Sequence, residues 1–277
     1  MEQFTRNGLI FDVIDVGPPE AEAVVLLHGY PQSSASWRSV VPGLVAAGYR
    51  ALAPDQRGYS PRARPGGRRA YVMTELVADV LALADQAGVE RFHLVGHDWG
   101  GAVAWALGTD HPDRLRTLTV LSTPHPGAFL RSAVTSGQAL RSWYMGLFQI
   151  PRLPEWLTLA GDGRVALSSM RRTGLSEDRA REYLERMREP GALTGALNWY
   201  RAIPLETAGI REAPPVTVPT LYVWSTGDVA LGRKAAELTA RHVSAPYRLE
   251  ILDGVSHWIP EEAPDAVVRL VLDHARP

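Results

Sequence analysis

Residues Gly96-His97-Asp98-Trp99-Gly100-Gly101 form the most informative segment of the chain. They follow a run typical of a buried strand, Phe92-His93-Leu94-Val95, and precede an alanine-rich helical run at 102–107. A strand, a sharp turn and a helix, with glycines two positions before and after the central residue, are the pattern of a nucleophile elbow. Small residues are needed there because larger side chains would collide with the strand and the helix. The segment therefore predicts an α/β fold with Asp98 at the tip of a strained turn.

Asp98 stands where most elbows of this kind carry a serine, which changes the chemistry. A carboxylate has an ordinary pKa of roughly 4 and is charged at neutral pH without help from a base. It can attack an electrophilic sp3 carbon directly and form an ester with the protein. The alternative interpretation is that Asp98 only caps the following helix, since aspartate is favoured at helix N-caps. The flanking glycines favour the nucleophile.

The composition is ordinary for a soluble enzyme and excludes several classes of protein. The net charge of −1 gives no field that would attract nucleic acid or an anionic membrane. No apolar run reaches the roughly 18 residues of a membrane span, and the N-terminus lacks a secretory signal pattern. The absence of cysteine excludes disulfides and thiolate metal sites. We expect a cytoplasmic protein without cofactor or metal; its arginine and alanine content fits a bacterial source, and its oligomeric state stays open.

Alternating strand and helix patterns define the expected architecture. Asn7-Gly8 predicts a hairpin between two extended segments at the start of the chain. Ala23-Val24-Val25-Leu26-Leu27 is a continuous apolar run that suits a strand buried on both faces. Further strand-like runs lie at 50–54, 92–95, 115–121, 220–224 and 247–252. With helical patterns between them, these runs predict a mostly parallel central sheet flanked by helices.

The alternation stops between residues 125 and 215, which predicts an inserted, all-helical cap. Helix-like patterns lie at 129–148, 154–170, 176–187 and 191–202. We therefore expect residues 1–124 and 216–277 to form the sheet-containing core and residues 125–215 to form the cap. Ligands of such sheets bind at the carboxyl ends of the strands, where a cap could close over them.

An ester on Asp98 would have to be cleaved by water, which requires a general base and an acid to orient it. His257 is the best base, because it follows the strand at 247–252 and a short turn. Asp228 follows the strand at 220–224 and is the predicted acid. A second position in such folds lies near Ser122, but no Asp or Glu occurs from 114 to 154. The order nucleophile, acid, histidine agrees with this reading.

The tetrahedral intermediate of ester hydrolysis needs hydrogen-bond donors for its oxyanion. We expect one donor to be the backbone N–H of Trp99, which follows the nucleophile. The other is the backbone N–H of Tyr30, in His28-Gly29-Tyr30-Pro31, a segment that could otherwise be a simple strand-ending turn.

Several motifs together resemble the epoxide hydrolases of the α/β-hydrolase fold. They are His28-Gly29-Tyr30-Pro31, Asp55-Gln56-Arg57-Gly58-Tyr59-Ser60 and the elbow. In the cap, 142–149 is similar to the segment that bears the first ring-opening tyrosine of that family, and 197–201 to the segment that bears the second. The resemblance spans nearly the whole chain and implies that Tyr144 and Tyr200 are the ring-opening residues. It also implies an apolar epoxide and water as the only partners.

Epoxide chemistry explains why tyrosines would be used. Opening the ring expels an alkoxide, and a phenol of pKa near roughly 10 can donate a proton as that charge develops. Tyr144 and Tyr200 could instead be packing residues with a polar tip. Three further cap aromatics, Trp143, Phe148 and Trp199, are candidate lining residues of an apolar pocket, although surface packing could equally use them.

Two other functions remain open on the sequence alone. A dehalogenase would use the same aspartate, histidine and acid, but it needs N–H donors for a departing halide. Haloalkane dehalogenases typically place Asn where this chain has Tyr30, and fluoroacetate enzymes typically place Arg where it has Trp99. The second alternative is a binding protein that keeps the fold without turnover, although all the predicted catalytic positions are filled.

Overall fold

A single eight-stranded sheet organises the protein. The computed structural model describes residues 1–206 and 213–276. The strand order is β1-β2-β4-β3-β5-β6-β7-β8; β1 and β2 pair antiparallel with their neighbours, and all other pairs are parallel. The strands are β1 (Gln3–Arg6), β2 (Leu9–Val16), β3 (Ala23–Leu27), β4 (Arg50–Pro54), β5 (Phe92–His97), β6 (Leu115–Leu121), β7 (Thr220–Ser225) and β8 (Tyr247–Leu252). The predicted mostly parallel sheet is confirmed.

The central strands are apolar because both faces of the sheet are covered. Every residue of β3, β4, β5 and β7 is buried, whereas the edge strand β8 is only partly buried. The flanking helices are α1 (Val41–Ala46), α2 (Met73–Gln86), α3 (Trp99–Asp110), α10 (Arg233–Thr239), α11 (Ile259–Glu262) and α12 (Pro264–Ala275). One core cluster includes α2 and α3, and a second includes α1 and α12.

All regular structure described between β6 and β7 is helical. These insertion helices are α4 (Pro126–Thr135), α5 (Gln138–Arg141), α6 (Trp143–Leu147), α7 (Leu153–Arg172), α8 (Glu177–Arg188) and α9 (Ala192–Ala202). None of the helices in the described ranges combines the length and the apolar character that crossing a bilayer requires.

The predicted single helix over 129–148 is wrong, because the chain breaks twice within it. Ser136 is extended, with φ −151° and ψ −174°. Its hydroxyl donates to the Ser132 carbonyl and accepts from the Gln138 N–H, an alternative to helical hydrogen bonds. A second break at Ser142 separates α5 from α6. Together the breaks allow short helices to turn over the end of the sheet.

Candidate active site

The elbow forms as the glycine pattern predicts. Asp98 lies between β5 and α3 with φ 51° and ψ −118°, a backbone conformation that is strained for a residue with a side chain. A Cβ on Gly96 would lie 2.3 Å from the Gly100 carbonyl oxygen, and a Cβ on Gly100 would lie 2.2 Å from the Leu27 carbonyl oxygen. Both positions therefore exclude any side chain.

The Asp98 side chain faces the end of the sheet and not the helix. It makes no capping hydrogen bond to α3, so the alternative of a simple helix cap is wrong. Its Oδ1 instead accepts a 2.7 Å hydrogen bond from the Tyr30 N–H, and its Oδ2 lies 3.5 Å from His257 Nε2. The preceding Gly29 leaves room for this approach, since a Cβ there would lie 2.3 Å from the Asp98 Cβ.

Asp98 is an ionised carboxylate in this environment. Burial raises the pKa of Asp98, but the hydrogen bond and charge of His257 and the Tyr30 N–H outweigh burial and leave that pKa below its ordinary value. One oxygen is therefore held by a backbone donor, while the other faces the histidine.

The two predicted oxyanion donors, the N–H groups of Tyr30 and Trp99, both belong to residues that adjoin Asp98. Tyr30 follows β3 and already donates to Asp98. Trp99 is the first residue of α3, and its N–H donates to no protein acceptor in the described ranges. A free N–H at a helix N-terminus is suited to a developing negative charge.

His257 and Asp228 are brought together although they lie 29 residues apart. His257 Nδ1 is 2.8 Å from Asp228 Oδ2, and the other oxygen of Asp228 accepts hydrogen bonds from the Ala230 and Leu231 N–H groups. Burial lowers the pKa of His257, but the charges and hydrogen bonds of Asp228 and Asp98 raise it well above its ordinary value. In the free site, His257 is therefore an imidazolium between two carboxylates.

Two residues that we did not predict as site residues hold the main chain of His257. The carbonyl oxygen of His257 lies 2.9 Å from His97 Nε2 and accepts a 3.1 Å hydrogen bond from the Ser122 hydroxyl. Ser122 is buried with φ 67°. It occupies the alternative acid position of the fold, but here it supports the base. No local pattern in the sequence indicates these contacts, because each joins residues more than 130 positions apart.

Tyr144 and Tyr200 come from different insertion helices and lie in one aromatic cluster. Their ring centroids are 6.1 Å apart, and Tyr200 also packs against Trp99 and Tyr30. Burial raises the pKa of both phenols, and the charge of Asp98 raises each pKa further. Neither hydroxyl donates to a protein acceptor within the described part of the chain. Both phenols thus keep their protons near the carboxylate.

The three candidate pocket-lining residues have different surroundings. Phe148 packs against Tyr144, Tyr200 and Tyr30, within the aromatic cluster. Trp143 is 67% exposed, so its expected pocket role does not fit the structure. Successive helical residues point about 100° apart, so Trp143 faces outward while Tyr144 faces inward. Trp199 is buried beneath the cluster, where its indole N–H donates to the Arg57 carbonyl and its ring meets Trp99.

Within residues 1–206 and 213–276, no three His, Asp or Glu side chains are grouped so that they could hold a metal ion. The candidate reactive groups are a carboxylate, an imidazole and two phenols.

Comparison of the sequence with known proteins identifies the family of this chain. The model of the alpha/beta hydrolase fold matches residues 22–264. The chain belongs to the α/β-hydrolase family. It is 38% identical to the AB hydrolase superfamily protein YfhM of Bacillus subtilis, over 98% of this chain and 96% of that protein.

Epoxide hydrolases are among its α/β-hydrolase relatives, which confirms the predicted resemblance. It is 34% identical to Epoxide hydrolase A of Mycobacterium tuberculosis, over 96% of this chain and 94% of that protein. The crystal structure of Epoxide hydrolase A from Mycobacterium thermoresistibile superposes with a TM-score of 0.85 at 29% identity. The superposition covers 98% of this chain and 96% of the chain in that structure.

Proposed function

We propose that this α/β-hydrolase converts an epoxide into a vicinal diol through a covalent ester on Asp98. The observation that carries the proposal is the pairing of two proton-bearing phenols, Tyr144 and Tyr200, with a charged carboxylate. Attack on an epoxide needs both a nucleophile for carbon and a proton for the ring oxygen. The relatives named epoxide hydrolases support the same conclusion.

The first step is alkylation of Asp98. Oδ2 is the attacking oxygen, because Oδ1 accepts the Tyr30 N–H hydrogen bond, whereas Oδ2 lies 3.5 Å from His257 Nε2. Oδ2 forms a bond to a ring carbon as the bond from that carbon to the ring oxygen breaks. The electron pair goes to the ring oxygen, which takes a proton from Tyr144 or Tyr200. The product of this step is a β-hydroxyalkyl ester of Asp98 and one phenolate.

The second step is hydrolysis of that ester. Alkylation removes the negative charge of Asp98, one of the two charges that raise the pKa of His257. The imidazolium then loses its proton more easily, and that proton can neutralise the phenolate directly or through water. Neutral His257, oriented by Asp228, takes a proton from water as the water oxygen attacks Cγ of Asp98. The N–H groups of Tyr30 and Trp99 stabilise the oxyanion. Collapse of the intermediate breaks the bond between Cγ and the substrate oxygen, which takes a proton from the His257 imidazolium as the diol leaves. The new carboxylic acid of Asp98 then returns a proton to His257, which restores the carboxylate and the imidazolium.

The substrate is an apolar epoxide. The groups around the nucleophile, apart from the catalytic polar atoms, are the aromatic faces of Tyr30, Trp99, Phe148 and the two cap tyrosines. Such surfaces favour aryl or alkyl substituents over charged ones. The insertion helices act as the cap that supplies this surface.

Product analysis by mass spectrometry tests the proposal. Purified wild-type protein and Asp98→Asn are incubated with aryl epoxides, alkyl epoxides and chlorinated alkanes. Diol formed by the wild type and not by the variant is the expected result. Halide release without diol would establish a dehalogenase, and ligand binding without turnover would establish a binding protein; either outcome would overturn the proposal.

A further inference from the structure

A chain of buried polar groups connects a cap helix to the main chain of His257. The Tyr183 hydroxyl on α8 donates a 2.6 Å hydrogen bond to Glu261 Oε1, and Gln32 Nε2 donates one of 2.7 Å to the same oxygen. The other end of the Gln32 side chain meets His97 Nδ1 at 2.9 Å. His97 Nε2 then lies 2.9 Å from the carbonyl oxygen of His257.

We propose that Glu261 is a positioning residue for the base: through Gln32 and His97 it holds the His257 main chain for ester hydrolysis. This inference rests on the proposed function, since it concerns the second step of that reaction. Glu261 itself lies outside the reacting groups. The step in which it acts needs a base within hydrogen-bond reach of a water molecule, and a displacement of 1 Å can cost about 100-fold in rate.

The direction of the hydrogen bonds, that is, which group donates and which accepts, supports this role. The Gly29 N–H can only donate, and it donates a 2.8 Å hydrogen bond to Gln32 Oε1. This fixes the amide of Gln32 with its oxygen toward His97 and its NH2 group toward Glu261. Both ring nitrogens of His97 therefore face acceptors, Gln32 Oε1 at 2.9 Å and the His257 carbonyl oxygen at 2.9 Å. A neutral imidazole has a single N–H, so His97 donates to one of these two oxygens at a time, and the tautomer decides which one.

Burial opposes a charge on both His97 and Glu261. It lowers the pKa of His97 to about 4, although the charges of Asp98 and Asp228 raise it, and it raises the pKa of Glu261 to about 7, although the hydrogen bonds from Tyr183 and Gln32 lower it. His97 is therefore neutral at neutral pH. The two donors on Oε1 of Glu261 stabilise its carboxylate, and Gln32 links it to His97. The other charged groups that act on His97 are His257, Asp98 and Asp228, and His257 also acts on Glu261.

The chain of contacts has a different effect on each half of the reaction. Alkylation uses Asp98, Tyr144 and Tyr200, none of which contacts Glu261, Gln32 or His97 through a side-chain hydrogen bond in the described ranges. Ester hydrolysis uses His257, whose carbonyl is held by His97 and Ser122. Loss of the Glu261 charge should therefore slow the second step and leave the first nearly unchanged.

Single-turnover kinetics with styrene oxide as the probe test this separation. Intact-protein mass spectrometry follows the formation and decay of the ester. In Glu261→Gln, we expect ester decay to slow about 10-fold and ester formation to change less than about twofold, so that the ester accumulates. Tyr183→Phe removes one donor to Glu261 and should shift the decay rate in the same direction. Glu185→Gln, on the exposed side of α8, is the matched control and should leave both rates unchanged.

A double variant provides the strictest comparison. Gln32→Glu combined with Glu261→Gln moves the carboxylate next to His97 and keeps an acceptor for the Gly29 N–H. It should restore the decay rate to within about twofold of the wild type. Equal slowing of both steps in Glu261→Gln, or no restoration in the double variant, would overturn the proposal.

A measurement without substrate separates this proposal from the proposed function. ¹⁵N NMR of the histidine rings at neutral pH should show shifted His97 ring signals in Glu261→Gln, because the variant changes the partner of Gln32, which contacts His97 Nδ1. Unchanged His97 signals in the variant would overturn the role of Glu261. Failure of the wild type to form any ester would instead overturn the epoxide hydrolase assignment.

Discussion

Asp98 and His257 carry opposite charges in the free site, and the reaction changes that relation. Burial opposes both charges, but His257 lowers the pKa of Asp98, and Asp228 together with Asp98, 3.5 Å away, raises the pKa of His257. Esterification of Asp98 removes one partner of this pair. The pKa of His257 then falls, which favours the neutral form that water activation needs.

The two half-reactions should consequently respond to pH in different ways. Alkylation needs the Asp98 carboxylate, so its rate should fall only when the pH drops through the lowered pKa of Asp98. It also needs protonated Tyr144 and Tyr200, whose raised pKa values keep it active into the alkaline range. Ester hydrolysis needs neutral His257, so its rate should increase with pH. Rapid-quench measurement of ester formation and decay across pH checks this; decay that slows with rising pH would contradict it.

Loss of either phenol hydroxyl should affect ring opening alone. Removing a general acid typically costs 10²- to 10⁴-fold, so Tyr144→Phe and Tyr200→Phe should each slow ester formation by about 10²-fold, and the double variant by more. Ester decay should be unchanged. Tyr49→Phe is the matched control, because Tyr49 lies just before β4, at the opposite end of the sheet from Asp98. Normal ester formation in the double variant would show that the tyrosines only pack.

The ends of three parallel strands, including the elbow after β5, position residues of the candidate site. Three secondary-structure junctions bring Tyr30, Asp98 and Asp228 to one edge of the sheet, since each follows a parallel strand. The close approach of α3 to β3 depends on Gly100, whose position leaves no space for a Cβ beside the Leu27 backbone. The strained turn is therefore stabilised by packing on both of its sides.

Gly100→Ala should destabilise the protein by about 3 kcal/mol, because the added methyl group meets backbone that cannot move aside. Gly146→Ala is the matched control: it is also helical, and its Cβ would meet nothing within 4 Å. That variant should be neutral or more stable by about 0.5 to 1 kcal/mol. Chemical denaturation of the two variants measures the difference; equal stability of both would contradict the close-packed elbow.

The elements could be predicted from sequence to different degrees. The buried runs of β3 and β5 and the glycines around Asp98 are local signals, so the sheet and the elbow followed from them. The breaks at Ser136 and Ser142 depend on side-chain hydrogen bonds that compete with a helix-compatible pattern, so the first cap helix was predicted too long. The pocket role predicted for Trp143 does not fit the structure, because the sequence pattern of the short helix α6 does not fix which of its side chains faces inward.

Contacts between distant segments could not be predicted from the chain alone. Gln32 and Glu261 lie 229 residues apart and meet only because the short helical turn Ser34–Trp37, which follows β3, packs against α11, which follows β8. The hydrogen bonds of His97 and Ser122 to the His257 carbonyl likewise join segments that are distant in sequence and meet only in the folded protein. The aspartate, histidine and acid were predictable because their positions after strands are fixed by the fold.

At the scale of the whole molecule, the insertion helix α8 is joined to the sheet-containing part of the chain by two charged pairs and a hydrogen bond. Arg186 pairs with Asp55, Glu182 with Arg38, and Tyr183 bonds to Glu261. The Asp55 side chain is buried, with 5% of the residue exposed, and it also accepts a hydrogen bond from the Ser34 N–H. Its interactions with Ser34 and Arg186 replace the contacts with water that burial removes. Removal of Arg186 would leave that carboxylate uncompensated, which is costly for a buried group.

Arg186→Met should therefore loosen the cap more than it destabilises the core. We expect amide hydrogen exchange in α8 to accelerate about tenfold, while exchange in the central strands changes little. Arg188→Met is the matched control, because the partners of Arg188 in the described part of the chain are the exposed side chains of Asp162 and Glu185, and such pairs contribute little. Hydrogen exchange with mass spectrometry measures both variants. Equal exchange in α8 would show that the Arg186 pair does not hold the cap.

The covalent ester on Asp98 is the central claim, and a single turnover in ¹⁸O-labelled water tests it most directly. Enzyme in excess over styrene oxide is allowed to react once, and the diol and the peptide that contains Asp98 are analysed by mass spectrometry. Because water attacks the ester carbonyl, we predict that the label enters the Asp98 carboxylate and that the diol is unlabelled. Label in the diol after one turnover would show direct attack of water on the epoxide and would contradict the ester mechanism.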